Sequence, residues 1–180
     1  MQVIETDLSG VVVLQPRLFR DDRGFFLETY NQARYAEAGI TCTFVQDNHS
    51  RSTKGILRGL HYQITQPQDK LVWCLQGAIY DVAVDVRRDS PTFGKWYGVT
   101  LTSEEKNQIF VPAGFAHGFC VLSETAEVAY KCSRLYAPND EGGIAWNDPE
   151  LGIEWPLDGA PTLSGKDAAL PRLADAKLPD

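Results

Sequence analysis

The chain has 180 residues, 43% hydrophobic and 23% charged, which suits one unit that buries a core without disulfide or metal staples and excludes disorder throughout. Its 17 Lys and Arg against 24 Asp and Glu give a formal net charge of -7. That argues against a nucleic-acid polymer as partner, but not against a small anion held by a local cluster of cations.

No run of about 18 apolar residues occurs, so no membrane span is expected. The first residues lack the basic and apolar regions of a signal peptide. Cys42, Cys74, Cys120 and Cys132 show no C-x-x-C spacing. Reduced, buried thiols in a cytoplasmic protein are the expectation.

Short runs rich in Val, Ile, Phe, Tyr and Trp, punctuated by Gly and Pro, predict strands at 11–14, 25–30, 44–50, 56–63, 70–75, 79–87, 96–101, 108–111, 118–122 and 127–135. A helix is predicted after 31, with Asn31 as N-cap, Ala33, Ala36 and Ala38 inside and Gly39 closing it. In 79–87 the alternation is strict. Tyr80, Val82, Val84 and Val86 form an apolar core face, and Asp81, Ala83, Asp85 and Arg87 a more polar one. Residues 103–107 read as a turn. The pattern weakens after Pro156, where the Ala- and Leu-rich end reads as a short helix or a docked extension. So many short strands predict a mainly β fold, a jelly-roll sandwich or barrel with a few short helices. Residues 1–180 form one domain in this reading, with an extension over about 156–180.

Three histidines occur: His49, His61 and His117. His61 lies in Leu57-Arg58-Gly59-Leu60-His61-Tyr62-Gln63, and His117 in Pro112-Ala113-Gly114-Phe115-Ala116-His117. The second segment has the form P-x-G-x-x-H and resembles the second motif of the cupin superfamily. Metal-binding cupins carry H-x-H in their first motif; here that place reads His61-Tyr62-Gln63, and no metal site is expected. His61 suits acid–base work, since imidazole titrates near neutrality. Asp167, within the polar stretch 163–167, is a candidate orienting carboxylate, although spacing alone reads as a solvated turn. Tyr130 and Tyr136 share one strand parity; they are either cavity-lining phenols or core aromatics with hydroxyls at the rim. Arg58 and His61 stand three apart, which a regular strand would place on opposite faces. A bulge near Gly59 would bring them to the same side.

Together, Asp22-Arg23-Gly24-Phe25-Phe26-Leu27-Glu28, Gln46-Asp47-Asn48-His49-Ser50, the His61 segment, Lys70-Leu71-Val72, the His117 segment, Tyr130-Lys131, Tyr136-Ala137-Pro138 and Leu163-Ser164-Gly165-Lys166-Asp167 resemble, in family order, the dTDP-4-dehydrorhamnose 3,5-epimerases. These are metal-free, cofactor-independent enzymes of cupin type. The resemblance implies inversion of C3 and C5 of a dTDP-linked 4-keto-6-deoxyglucose through enolates. It implies His61 as base, Asp167 as its partner, Tyr130 as acid and Lys70 beside the enolate oxygen. It further implies substrate contacts from Arg23, Glu28, Gln46, Asp47, Asn48, Arg58, His117, Tyr136, Glu141 and Lys166. The family forms homodimers, which makes Arg23 and Glu28 candidates for acting on the neighbouring subunit. Relatives that invert one centre keep most of these residues, so a mono-epimerase is the first alternative. A metal-dependent cupin enzyme and a non-catalytic sugar-nucleotide binder follow.

Overall fold

Pairing between strands is antiparallel throughout a computed structural model that describes residues 1–179. The elements are β1 (Gln2–Glu5), β2 (Val12–Gln15), β3 (Phe19–Asp21), β4 (Gly24–Phe26), α1 (Gln32–Glu37), β5 (Gln46–Thr53), β6 (Leu57–Gln63), β7 (Lys70–Gln76), β8 (Ala78–Asp85), β9 (Trp96–Thr102), β10 (Gln108–Val111), β11 (Phe115–Val121), β12 (Thr125–Cys132), β13 (Glu141–Gly143) and α2 (Gly165–Ala168). One sheet has the order β1-β2-β10-β7-β12-β5, the other β13-β6-β11-β8-β9, and β3-β4 is a separate hairpin. This is the mainly β, two-layer jelly-roll arrangement expected from the sequence.

Alternation along the strands builds three apolar layers. Between the sheets, Val72, Ile109, Val111 and Val128 of the first meet Ile79, Ala83, Leu101 and Phe119 of the second. The outer face of the first sheet carries Val12, Leu14, Leu71 and Phe110, covered by Tyr35 of α1 and by Ile40. Asn31 caps α1 by accepting from the Arg34 N–H, and Gly39 ends it in the left-handed region. On the second sheet, Leu60, Tyr62, Val82, Val84 and Ala116 are covered by Leu173, Ala176 and Leu178 of the C-terminal extension. The extension therefore docks, and it also carries α2.

Two expectations need correction, and one is completed. The more polar face of β8 is buried as well: Asp81, Ala83 and Asp85 are all fully buried, because that side faces the opposite sheet while the extension seals the other. The predicted strand 25–30 stops at Phe26; beyond it the Thr29 carbonyl accepts from Tyr35 Oη and Gln108 Nε2, so side chains replace a strand partner. The strand predicted over 127–135 ends at Cys132, where Ser133 turns to a reciprocal clamp with Asp69.

Candidate active site

A cleft lies between the two sheets, in two chambers that share lining residues. One, of about 470 Å³, is lined by Arg58, His117 and the 162–167 segment; the other, of about 280 Å³, by Gln46, Asn48, Tyr136 and Glu141. His61, Lys70 and Tyr130 line both. The junction of the chambers is thus where the proton-transfer candidates meet.

The local fold explains how they converge. β6 pairs with β11 through His61↔His117 and Arg58↔Phe119, with one extra β6 residue between those pairs. That bulge returns Arg58 and His61 to the same inner side. Gly59 occupies it with φ +117°, and a Cβ there would stand 2.6 Å from the Gly118 Cα, so a side chain has no room. Lys70 and Tyr130 come from the facing sheet, on adjacent strands paired as Lys70↔Cys132 and Val72↔Tyr130. Asp167 arrives on the extension, anchored by the Thr162–Ile56 bridge and the Ser164 cap, whose hydroxyl accepts from the Asp167 N–H.

Two histidine–aspartate pairs stand side by side. His61 Nε2 lies 2.5 Å from Asp167 Oδ1. Burial pushes the Asp167 carboxyl up, but the His61 hydrogen bond and charge outweigh it and hold it below its usual range. An ionised Asp167 keeps the ring proton on Nε2 and makes Nδ1 the basic nitrogen. The second pair is deeper: His117 Nε2 sits 2.9 Å from both Asp81 oxygens. On the opposite wall, burial, reinforced by Cys132, raises the Tyr130 phenol, with Arg58 pulling the other way. Burial lowers the Lys70 ammonium, against the opposing pull of Cys132, Asp81 and Glu141. At the mouth Lys166 pairs with Glu141. Arg58 Nε donates to Ser52 Oγ at 3.0 Å.

Of the residues singled out from sequence, His61, Lys70, Tyr130, Asp167, Arg58, His117, Lys166, Gln46, Asn48, Tyr136 and Glu141 all line this cleft. Asp47 does not. Strand alternation turns it outward, where it pairs with Lys131. His49 likewise faces out, against Glu127. Arg23 and Glu28 lie on or beside the β3-β4 hairpin, away from this cleft, paired with Asp21 and Arg34. Asp81 and Ser52 were missed as partners of His117 and Arg58. The alternation of β8 had already placed Asp81 on the face that turns out to be inner. Among the described residues no three His, Cys, Asp or Glu side chains converge as ligands for a metal ion.

A family model described as dTDP-4-dehydrorhamnose 3,5-epimerase matches residues 5–175. A Salmonella typhimurium protein of that name is 54% identical over 180 residues, covering 99% of this chain and 98% of its own. One from Pseudomonas aeruginosa is 56% identical over 177 residues, covering 98% of each. The crystal structure of dTDP-6-deoxy-D-glucose-3,5-epimerase from Legionella pneumophila, in complex with dTDP-4-keto-L-rhamnose, superposes with a TM-score of 0.96 at 50% identity, covering 99% of this chain and 97% of that one. With the cleft, its paired strands and these full-length likenesses in agreement, the chain belongs to the dTDP-4-dehydrorhamnose 3,5-epimerase family.

Proposed function

We propose that this epimerase inverts C3 and C5 of dTDP-4-dehydro-6-deoxy-D-glucose with His61 as base and Tyr130 as acid. One observation carries the assignment: His61, paired with Asp167 of the extension, stands on one sheet, and Tyr130 with Lys70 on the facing sheet, across the junction of the two chambers. Inversion at a carbon beside a ketone needs a proton removed from one face and returned to the other. Groups on opposed walls meet that demand.

The 4-keto sugar lies at the junction, with its ring between the imidazole and the phenol. His61 Nδ1 takes the proton from carbon, and Asp167 stabilises the resulting imidazolium. Negative charge moves to the keto oxygen, where Lys70 provides preorganised positive charge. Tyr130, its pKa raised, holds its proton until the carbanion face presents itself. Arg58 and His117 hold sugar or phosphate oxygens in the larger chamber. Gln46, Asn48 and Tyr136 form the nucleotide wall of the smaller one, the Tyr136 ring stacking on thymine, and Glu141 with Lys166 closes its mouth.

The chain works as a homodimer in this reading. The β3-β4 hairpin exposes Phe19, Phe25 and Phe26, the last at 69%, beside Arg23. A second copy would cover these rings and receive Arg23 and Glu28 at its nucleotide wall. Among the described residues no helix is long and apolar enough to cross a membrane. We place the protein in the cytoplasm, where its free thiols stay reduced. Protein and 4-keto sugar nucleotide in D₂O, followed by proton NMR, test the reading. Deuterium at both C3 and C5 is expected; label at one carbon makes it a mono-epimerase, and none removes the assignment.

A further inference from the structure

The segment that carries Tyr136 has little apolar packing to hold it. β12 ends at Cys132, Leu135 is 65% exposed and Tyr136 is 51% exposed. Its backbone groups go instead to side-chain amides. The Tyr136 N–H donates to Gln46 Oε1 at 2.8 Å. On either side, the Ala137 N–H donates to Gln63 Oε1 at 2.8 Å, and the Leu135 carbonyl accepts from Gln63 Nε2 at 3.4 Å.

Gln63 is 2% exposed and follows the base on its own strand, two residues after His61 and on the same inner side. Its remaining hydrogen bond, Nε2 to the Gln66 carbonyl at 2.8 Å, ends on a turn that is itself held. Asp140 accepts there from the Thr65 and Gln66 N–H groups at 2.9 and 2.8 Å. Both Nε2 protons of the Gln63 amide and its oxygen are thus engaged by backbone groups. It grips the chain on both sides of Tyr136 and is itself gripped from behind.

The geometry points to Gln63 as a positioning residue that sets the Tyr136 ring against the nucleobase, coupling the strand of the base to the nucleotide wall. The inference rests on the reading of Tyr136 as the ring that stacks on thymine. An exposed ring on a loop binds a base well only if it is ordered before the ligand arrives, since ordering it afterwards subtracts from affinity. A buried amide making several backbone hydrogen bonds supplies that order, and truncating it removes the partner of the Leu135 and Gln66 carbonyls and of the Ala137 N–H. The consequence falls on binding, because His61, Asp167, Lys70 and Tyr130 are held by other contacts.

A double-mutant cycle on dTDP binding tests this, with Gln63→Ala, Tyr136→Ala and the double variant read by calorimetry, alongside kcat and KM. Gln63→Ala is expected to weaken dTDP binding and raise KM about tenfold, the scale of one or two net hydrogen bonds, with kcat within about twofold of wild type. In the Tyr136→Ala background the same substitution is expected to change affinity by less than about twofold. Gln63→Glu keeps the acceptor for Ala137 but sets a carboxylate against two carbonyls; it should weaken dTDP binding in the same direction. If Tyr136→Ala binds dTDP as wild type does, the stacking reading fails. If Tyr136→Ala weakens binding while Gln63→Ala does not, or the two effects multiply, that reading stands and the positioning role of Gln63 is overturned. A fall in kcat at unchanged KM also overturns it. So does loss of folding, seen by thermal melting, in both Gln63 variants, since Gln63 would then serve the core.

Discussion

The two histidine–aspartate pairs share chemistry and neighbourhood but not surroundings. His61 and His117 are cross-strand partners on β6 and β11, and the Nε2 of each ring faces a carboxylate. The His61 side chain is 30% exposed and its aspartate arrives on the C-terminal extension; the His117 side chain is 8% exposed and its aspartate lies on the neighbouring β8 strand at 0%. A pair assembled across a docked segment, and open to the cleft, suits a group that must gain and lose a proton. A pair locked inside one sheet suits a group that must present one fixed face. In the proposed reading the same two side chains serve transfer in one place and positioning in the other, and what differs between them is exposure and the element that brings the carboxylate.

The largest expected effect separates the two histidines. His61→Asn should reduce deuterium exchange at both C3 and C5 by about 10³-fold or more, since it removes the proposed base. His117→Asn should leave exchange detectable and act mainly through KM, by about tenfold. Exchange by His61→Asn at the wild-type rate would reverse the roles given to the pairs. A smaller effect separates the aspartates. Asp167→Asn should lower kcat by about 10²-fold, through loss of tautomer control and of charge beside the imidazolium, while Asp81→Asn should raise KM with a smaller change in kcat. Steady-state kinetics on the 4-keto substrate checks both.

One side of this contrast is legible in the sequence. Ordered motifs brought His61, Lys70, Tyr130 and Asp167 together as one set, and the three-residue spacing of Arg58 and His61 called for the bulge that Gly59 provides. What strand periodicity could not supply was which face of a doubly covered strand is inner. β8 alternates clearly, yet both its faces are buried, so alternation puts Asp81 on the more polar face without naming it as the partner of His117. Asp47 shows the opposite failure. It belongs to a motif whose neighbours Gln46 and Asn48 reach the cleft, but the period of two carries its own side chain out to solvent. Gln63 carries no sequence signal of the role proposed for it, because the groups it holds beside Tyr136 lie 72 and 74 residues away.

Asp85 supplies the control that sharpens the comparison with the smallest effect on activity. It stands on the same face of β8 as Asp81 and is equally buried, but its partners are Arg87, Ser90 and Thr92 instead of a histidine. Burial raises its carboxyl, and those hydrogen bonds more than reverse that, lowering the pKa from 3.8 to about 2. With the folded pKa below the unfolded one, the unfolded chain binds more protons across that window. Asp85 therefore contributes its full stability above about pH 4 and loses it as pH falls through about 2. A shift of this size corresponds to about 2 kcal/mol. Asp85→Asn should accordingly flatten the acid limb of the urea-unfolding free energy by up to that amount, with kcat at neutral pH unchanged. An acid limb as steep as the wild type's would show that the partners of Asp85 do not hold it ionised. A loss of kcat would show that burial on this face, and not the histidine partner, is what ties a β8 carboxylate to the chemistry.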